Sequence, residues 1–489
     1  MSSSDTVEQA VEQGRRRLSP LDAAFLDAEI ADRNATLEVA AVAVVEGSPP
    51  ARERFVESLR PRLAAVSRHR QRVRRVPFDL GRPWWEDTEV DFDYHVKRAA
   101  LPVPGDDSQL ADLVGMVMSD RLDHDRPLWQ CWLVEGLAGG RWALLVRAHH
   151  SIADALAGFA LLAAVLTAEP PQPPQPPRRA EPPEPAEPPA GPAPPPGPGA
   201  LRRAVTALGD LTTAPLHQAR RCAEALRHPG RAAKGAAATA RGLGTLARVL
   251  VPVAPSSLSG PIGRERRYRV AQAPLRDVTT VARHHGVTVN DVVLAAVTGA
   301  FRELLLRRGE RIHPHLLRAL VPVSARGARQ PRGPGNQLSW LLPLLPVDIA
   351  DPIERLSVVH ERLAGLKHSQ EAQVSSSLLG FARQGPFPPL SWAVRAAARL
   401  PQRNIVTVVT NVPGPRQQLR LFGDDRIVRL LPYVPIGLRL RTGIAVLSYG
   451  DTLSIGVTTD ARSVPDADAL ARGVEDGIAE LVHAAPNRH

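Results

Sequence analysis

Two adjacent histidines, followed after three further residues by an acid, carry the most chemical content in this chain: His149-His150-Ser151-Ile152-Ala153-Asp154-Ala155. An imidazole can act as a general base near neutrality, because its unperturbed pKa is about 6.5. One ring nitrogen takes the proton of an alcohol. The other must be oriented by a partner that fixes the tautomer. The neighbouring histidine and Asp154 are the natural supports. Alone, two adjacent histidines also describe a hydrogen-bonded pair in a protein core, so the rest of the chain has to decide. A second pair, His284-His285, has Val289 where the first has its acid, and it precedes a helix instead of following a buried strand. It is expected at the surface.

The elements around the first pair fit a site. Residues 142–148 form an apolar strand that ends at the histidines, and residues 155–166 have the pattern of a buried helix. Upstream, Ser19 is placed to cap a short helix with Pro20 at its first position. Residues 36–45 alternate and are rich in Val, which predicts a strand. Residues 52–66 have helical spacing. Strands are expected at 94–101 and 128–137. Beyond residue 262 a second globular region is predicted. It has a helix over 288–307, strands at 315–323, 341–348 and 405–412, and an amphipathic helix over 353–369. A hairpin turns at Gly450-Asp451, and a last helix covers 467–484. The prolines within 341–348 predict an edge or bulged strand. Between the regions, about half of residues 167–200 are proline. Proline removes donors and fixes φ, so this is an extended linker. Residues 201–250 follow as Ala- and Arg-rich helical sequence, either a crossover or a membrane-facing surface.

Composition bounds the partners. The chain has 489 residues, 44% hydrophobic, enough for a sizeable core. Its net charge is +11, nearly all of the positive charge from arginine. Such basicity suits an anionic partner, whether nucleic acid, phospholipid or a phosphorylated cofactor, or equally a coding bias towards Arg, Ala and Pro. Nucleic acid is disfavoured, because aromatics are only 4% and no nucleic-acid-binding signature is present. The basic run Arg68, Arg70, Arg72, Arg74 and Arg75 could meet phosphates or form a solvated strand face. Trp84-Trp85 is expected in a core or interface, and Gly333 to Gly335 carries no phosphate-loop lysine. Two cysteines, Cys131 and Cys222, form no disulfide framework or metal spacing. No apolar run reaches about 18 residues, so no transmembrane helix is expected; the nearest, residues 152–167, carries Asp154.

Further motifs recur in order along most of the chain: Leu18-Ser19-Pro20-Leu21-Asp22-Ala23-Ala24-Phe25-Leu26, Asp125-Arg126-Pro127-Leu128-Trp129, Val289-Asn290-Asp291-Val292, Val321-Pro322-Val323-Ser324-Ala325-Arg326, Gly335-Asn336-Gln337 and Asn411-Val412-Pro413-Gly414-Pro415. With the double-histidine string, which matches HHxxxDG, they make the chain resemble the bacterial wax ester synthase/diacylglycerol acyltransferase family. That family belongs to the chloramphenicol-acetyltransferase-like superfamily. The resemblance implies an α/β protein of two such domains, each a mixed sheet packed with helices, joined by a proline-rich linker and a basic helical crossover. The expected boundaries are 1–14 disordered, 15–167 N-terminal domain, 168–200 linker, 201–255 crossover and 256–489 C-terminal domain.

The resemblance also implies roles. His150 is the base that deprotonates an acceptor hydroxyl, and His149 supports it. Asp154 holds the loop by a salt bridge, with Arg326 as one candidate partner. Asn290, from the second domain, lies near the tunnel where the halves meet. Asn290, Ser324 and Asn411 are unranked candidates for the donor that stabilises the tetrahedral oxyanion. The implied reaction moves a fatty acyl group from acyl-CoA to diacylglycerol or a long-chain alcohol. It needs no cofactor and no metal, since acyl-CoA is a substrate. The implied setting is cytoplasmic, peripheral to the anionic inner face of a membrane or to a lipid droplet, and a homodimer is compatible with it. Two features depart from the family pattern: Ala155 replaces the motif glycine, and Thr410 stands where serine is usual. Ala155 keeps open a second reading, a catalytically weak or inactive member that binds lipid or coats droplets. A peptide-synthetase condensation domain shares the histidine motif, but the Pro127-Leu128-Trp129 block and residues 321–326 do not belong to that group.

Overall fold

The structure is a computed structural model that describes residues 17–64, 66–75, 83–152, 253–324, 338–368, 405–421 and 425–484. The expected linker, the basic crossover, the helix over 155–166, Asp154, Ala155, Arg326 and the Gly335-Asn336-Gln337 motif lie outside the described residues.

The first lobe begins with helix α1, Pro20–Ala31. Ser19 caps it, its Oγ accepting from Asp22 N at 3.1 Å, and proline takes the first turn, where it costs no helical hydrogen bond. Strand β1, Glu38–Glu46, follows, then α2, Arg52–Ala64, and a small ribbon of β2, Gln71–Arg74, and β3, Trp84–Asp87. A one-turn helix α3, Phe92–His95, leads into β4, Val96–Ala100. Here the expected strand over 94–101 starts late. Asp91 accepts from Asp93 N at 3.0 Å and from Tyr94 N at 3.3 Å, which winds the chain into a helical turn first. Helix α4, Asp107–Val117, and strands β5, Trp129–Leu137, and β6, Arg141–His149, complete this stretch.

The sheet of this lobe has six strands, in the order β12-β13-β1-β6-β5-β4. Two of them, β12, Arg420–Leu421, and β13, Asp425–Tyr433, come from the C-terminal part of the chain. Strand β1 is therefore flanked by β6 on one side and by β13 on the other, both antiparallel. Period-two alternation sends its residues to opposite faces. Ala43 and Val45 join Trp142, Leu144 and Val146 against Phe55, Leu59 and Leu63 of α2. Val42 and Val44 join Ala143 and Leu145 against Leu110 and Val114 of α4. Both faces are covered, so β6 is buried along nearly its whole length. Each such aliphatic side chain contributes about 1.5–3 kcal/mol on burial.

The second lobe contains β7, Arg266–Pro274, and helices α5, Leu275–His285, and α6, Val289–Arg307. Strands β8, Leu317–Ser324, β9, Leu338–Leu341, and β10, Leu344–Leu345, follow, and then α7, Pro352–His368. It ends with β11, Thr407–Val412, the hairpin β14, Thr442–Tyr449, and β15, Thr452–Asp460, and α8, Ala467–Ala484. Its sheet runs β10-β8-β11-β14-β15-β7, with β9 also pairing β8. The strand expected over 341–348 is in fact two short pieces, β9 and β10, that both pair β8. Pro343 lacks the N–H to continue the ladder, and its carbonyl accepts from Ala319 N at 3.0 Å instead. The hairpin turns at Gly450, φ +54°, as its residues require. Helix α6 opens with a capping box: Thr288 Oγ1 accepts from Asp291 N at 3.2 Å, and Asp291 Oδ2 from Thr288 N at 2.9 Å.

The lobes interlock where β13 crosses β15. Tyr268 donates its hydroxyl to Pro432 O at 2.8 Å. Gly456 sits so close beneath that carbonyl that an added Cβ would overlap the oxygen. Acids of α4 and the loop after it meet arginines of the other region: Asp107 with Arg429, Asp112 with Arg269, and Asp120 with Arg264.

Candidate active site

Strand β6 delivers His149 and His150 to one end of the first sheet. The backbone is pinned there by main-chain bonds, His149 N to Leu128 O and His150 N to Leu37 O, each 2.9 Å. The Pro127-Leu128-Trp129 block thus holds the histidine strand directly. Trp129 is itself anchored, its Nε1 donating to His69 O at 2.9 Å. The side chains then part. His149 is sealed in the interior, and His150 is half-buried, neither enclosed nor fully exposed.

His149 is held from both sides. Ser151 N donates to its Nδ1 at 3.1 Å, and the Ser151 hydroxyl lies 2.8 Å from the same nitrogen. With Nδ1 accepting, a neutral ring carries its proton on Nε2. That nitrogen faces Glu29 Oε2 at 3.5 Å. Glu29, on α1, is fully buried. Its other oxygen accepts from Leu37 N at 3.0 Å, and Oε2 lies 2.8 Å from His124 Nε2. Burial pushes the Glu29 carboxyl up, but His124 and His149 outweigh it and hold it well below the usual carboxylate range. Burial holds the His149 imidazole below its ordinary value, so at neutral pH the ring is uncharged beside an ionised carboxylate.

One turn earlier on α1, Phe25 stacks on His150, the ring centroids 4.3 Å apart and the planes 12° from parallel. Phe25 and Glu29 are four residues apart and share a helix face. That single face touches both histidines. Beneath lies a second polar layer. Glu38, opposite His149 on β1, meets Arg147 at 3.2 Å and accepts from Leu122 N at 2.7 Å; burial raises its carboxyl to about 7 against the pull of that guanidinium.

From the second lobe, Asn290 stands at the start of α6 and Asn411 on β11. Asn411 Nδ2 donates to Asn290 Oδ1 at 3.5 Å, so the fold brings these two expected residues together. Asp291, next to Asn290, also lies 2.8 Å from His360 Nδ1, which ties α6 to α7. Ser324 ends β8 in register with Leu338. In the Asn411-Val412-Pro413-Gly414-Pro415 run, Gly414 N donates to Ser448 Oγ at 3.1 Å. A Cβ at Gly414 would overlap Ser448 O, so this approach requires glycine. His284 is exposed and His285 only partly covered, at the end of α5, as expected of a surface pair.

Four of the five arginines in the basic run are engaged within the fold, and Arg70 is exposed. Arg72 and Arg74 converge on Glu86 at 2.8 and 2.6 Å, Arg75 pairs with Asp27 at 2.8 Å, and Arg68 lies over the Trp85 ring at 4.6 Å. Trp85 is buried, in keeping with a core role.

The sequence carries no metal-ligand spacing, yet among the described residues folding gathers one set of donors. Glu29, His124 and His149 bring ligand-type atoms within 4.8 Å of one another. Phe25 lies within the motif at the start of the chain, but no local pattern marks its contact with His150, nor Glu29 or His124 as parts of the site. The one available signal was an acid amid apolar residues of α1, four residues after an aromatic.

Two interlocked α/β lobes, with a histidine pair at the end of a buried strand, define a chloramphenicol-acetyltransferase-like acyltransferase fold. The wax ester synthase/diacylglycerol acyltransferase catalytic domain matches residues 18–293, and the C-terminal domain of the same family matches residues 334–482. The probable diacylglycerol O-acyltransferase tgs1 of Mycobacterium tuberculosis is 42% identical over 472 residues, 96% of each chain. The wax ester synthase/diacylglycerol acyltransferase of Marinobacter aquaeolei superposes with a TM-score of 0.63 at 22% identity, covering 96% of this chain and 99% of that one. The first condensation domain of the calcium-dependent antibiotic synthetase shares the fold at 18% identity and a TM-score of 0.56, over 97% of each chain. The chain belongs to the wax ester synthase/diacylglycerol acyltransferase family and is an acyltransferase. Among the described residues no helix is long and apolar enough to cross a membrane.

Proposed function

We propose that this protein transfers a fatty acyl group from acyl-CoA to diacylglycerol, forming triacylglycerol, with His150 as general base. Long-chain alcohols, giving wax esters, are the second acceptor class. The observation that carries the proposal is the pairing of a sealed, doubly held His149 with a half-buried, stacked His150 at the end of β6. The 42% identity to a relative named for this reaction supports the acceptor.

In the proposed mechanism His150 removes the hydroxyl proton as the oxygen attacks the thioester carbonyl. The tetrahedral oxyanion needs a donor. Asn290 accepts from Asn411 through Oδ1, which leaves its own amide N–H groups for that role; Asn411 and Ser324 are the other candidates. Collapse breaks the carbon–sulfur bond, and the His150 imidazolium returns its proton to the CoA thiolate. No acyl-enzyme forms. Asp154 keeps the loop-holding role that the family pattern implies, with Arg326 as one candidate partner. Peripheral contact with an anionic membrane or lipid droplet would present the acceptor.

The test incubates purified protein with labelled palmitoyl-CoA and either diacylglycerol or hexadecanol. Labelled triacylglycerol or wax ester that disappears in His150→Ala is the expected result. Lipid binding without product in either mixture would overturn the proposal and favour the droplet-coating reading.

A further inference from the structure

We infer that Glu29 and His124 are positioning residues for the histidine pair: a buried carboxylate, braced by His124, fixes the His149 ring and so the turn from which His150 projects. This rests on the acyl-transfer reading of the site.

Glu29 is sequestered from solvent, where an isolated carboxylate would be strongly disfavoured. It is compensated by Leu37 N at 3.0 Å, His124 Nε2 at 2.8 Å and His149 Nε2 at 3.5 Å. Two of these three tie directly to the site, since Leu37 O accepts from His150 N. The carboxylate therefore touches both the ring of one histidine and the segment that pins the backbone of the next. On the far side of His149, Ser151 N uses the Nδ1 lone pair. The Nδ1 hydrogen bond fixes the tautomer, and Nε2 faces the Glu29 carboxylate at 3.5 Å, an ion-pair separation without hydrogen-bond geometry, so charge and burial hold the ring's orientation on that side. The contact of Phe25, one turn away, gives α1 a hold on both rings.

The same three side chains have the chemistry of a cation site, and the geometry argues against it. Ligands around a tetrahedral ion with bonds of 2.0–2.1 Å lie roughly 3.3 Å apart. Glu29 Oε2 and His124 Nε2 are at 2.8 Å, a charge-assisted hydrogen bond. The proton that Ser151 forces onto His149 Nε2 removes the lone pair an ion would need.

The experiment uses the full chain, labelled with 15N at histidine, His149→Gln assigning the resonance. Wild type is expected to show a slowly exchanging His149 Nε2–H proton whose shift senses the facing carboxylate, and Glu29→Gln to move it or lose it to exchange. In parallel, Glu29→Gln should lower kcat on the order of tenfold or more, with KM for palmitoyl-CoA within about twofold. His124→Gln keeps a donor to Glu29 and should retain most of kcat, whereas His124→Leu should lose about tenfold. An unmoved resonance, or an unchanged kcat in Glu29→Gln, overturns the inference, as does a stoichiometric divalent metal that disappears in that variant. If Glu29→Gln does not fold, the two His124 variants decide by the same resonance and the same kcat contrast. If wild type makes no product while the resonance still responds, the positioning role stands and the acyl-transfer reading fails.

Discussion

Acid should destabilise the protein through His95, and the size of the effect follows from its surroundings. The ring is sealed beneath the sheet and stacked on Trp129 at 4.4 Å. Its Nδ1 lies 2.7 Å from Trp129 O, which can only accept, so Nδ1 carries the proton. Among the described residues Nε2 is buried with no hydrogen-bond partner. Protonation would place a charge and an unanswered donor there, and burial accordingly lowers the imidazole to about 4. In the unfolded chain it titrates near about 6.5. A folded value below the unfolded one means the unfolded state binds the proton first. The stabilisation is therefore complete above pH ~6.5 and is lost as pH falls towards ~4. The full interval is worth about 3 kcal/mol, most of it between pH 7.5 and 4.5. His69 behaves alike, lowered by burial to about 4, whereas Glu38, raised by burial to about 7, gains stability over the same acid range. A single pH profile mixes these, so the informative quantity is the difference between wild type and His95→Phe, which keeps the stack but cannot titrate. Urea unfolding should find the variant less stable at pH 7.5, because Trp129 O loses its donor. At pH 4.5 the difference should have moved by about 2–3 kcal/mol in favour of the variant. A gap that does not change with pH would refute the reasoning.

Two further outcomes are expected. Phe25→Leu removes the aromatic face that orients His150 and favours its imidazolium; at about 0.5–1.5 kcal/mol for the stack, kcat should fall about 2- to 13-fold, and an unchanged kcat would leave the contact without a catalytic role. Gly456→Ala forces a Cβ against Pro432 O, so the unfolding free energy should drop by about 1–3 kcal/mol; an unaltered urea midpoint would contradict the close crossing of β13 over β15.

Local rules made much of the fold legible. Ser19 before Pro20, Thr288 three residues ahead of Asp291, and Gly450 between alternating runs each specify a cap or turn through their own hydrogen bonds or φ. Where the structure departs from the expected elements, a side chain or proline reroutes the backbone, as Asp91 does before β4 and Pro343 between β9 and β10. The histidine pair was legible for the same reason, as a contiguous string. Its supports were not. Glu29, on α1, and His124, in the loop before β5, are 95 residues apart and meet only in the folded chain. The strand that completes the first sheet was equally hidden, since nothing in the composition of β13 says that its partner is β1, almost 400 residues earlier.

That pairing has a consequence for dissecting the molecule. A fragment stopped at the proline-rich stretch would keep β1 but lack β13, and would bare one long row of amide and carbonyl groups on an apolar strand. Such an edge is a template for another copy of itself. Separately expressed halves are therefore expected to aggregate when alone and to recover when produced together, the later half acting as a built-in strand donor for the earlier one.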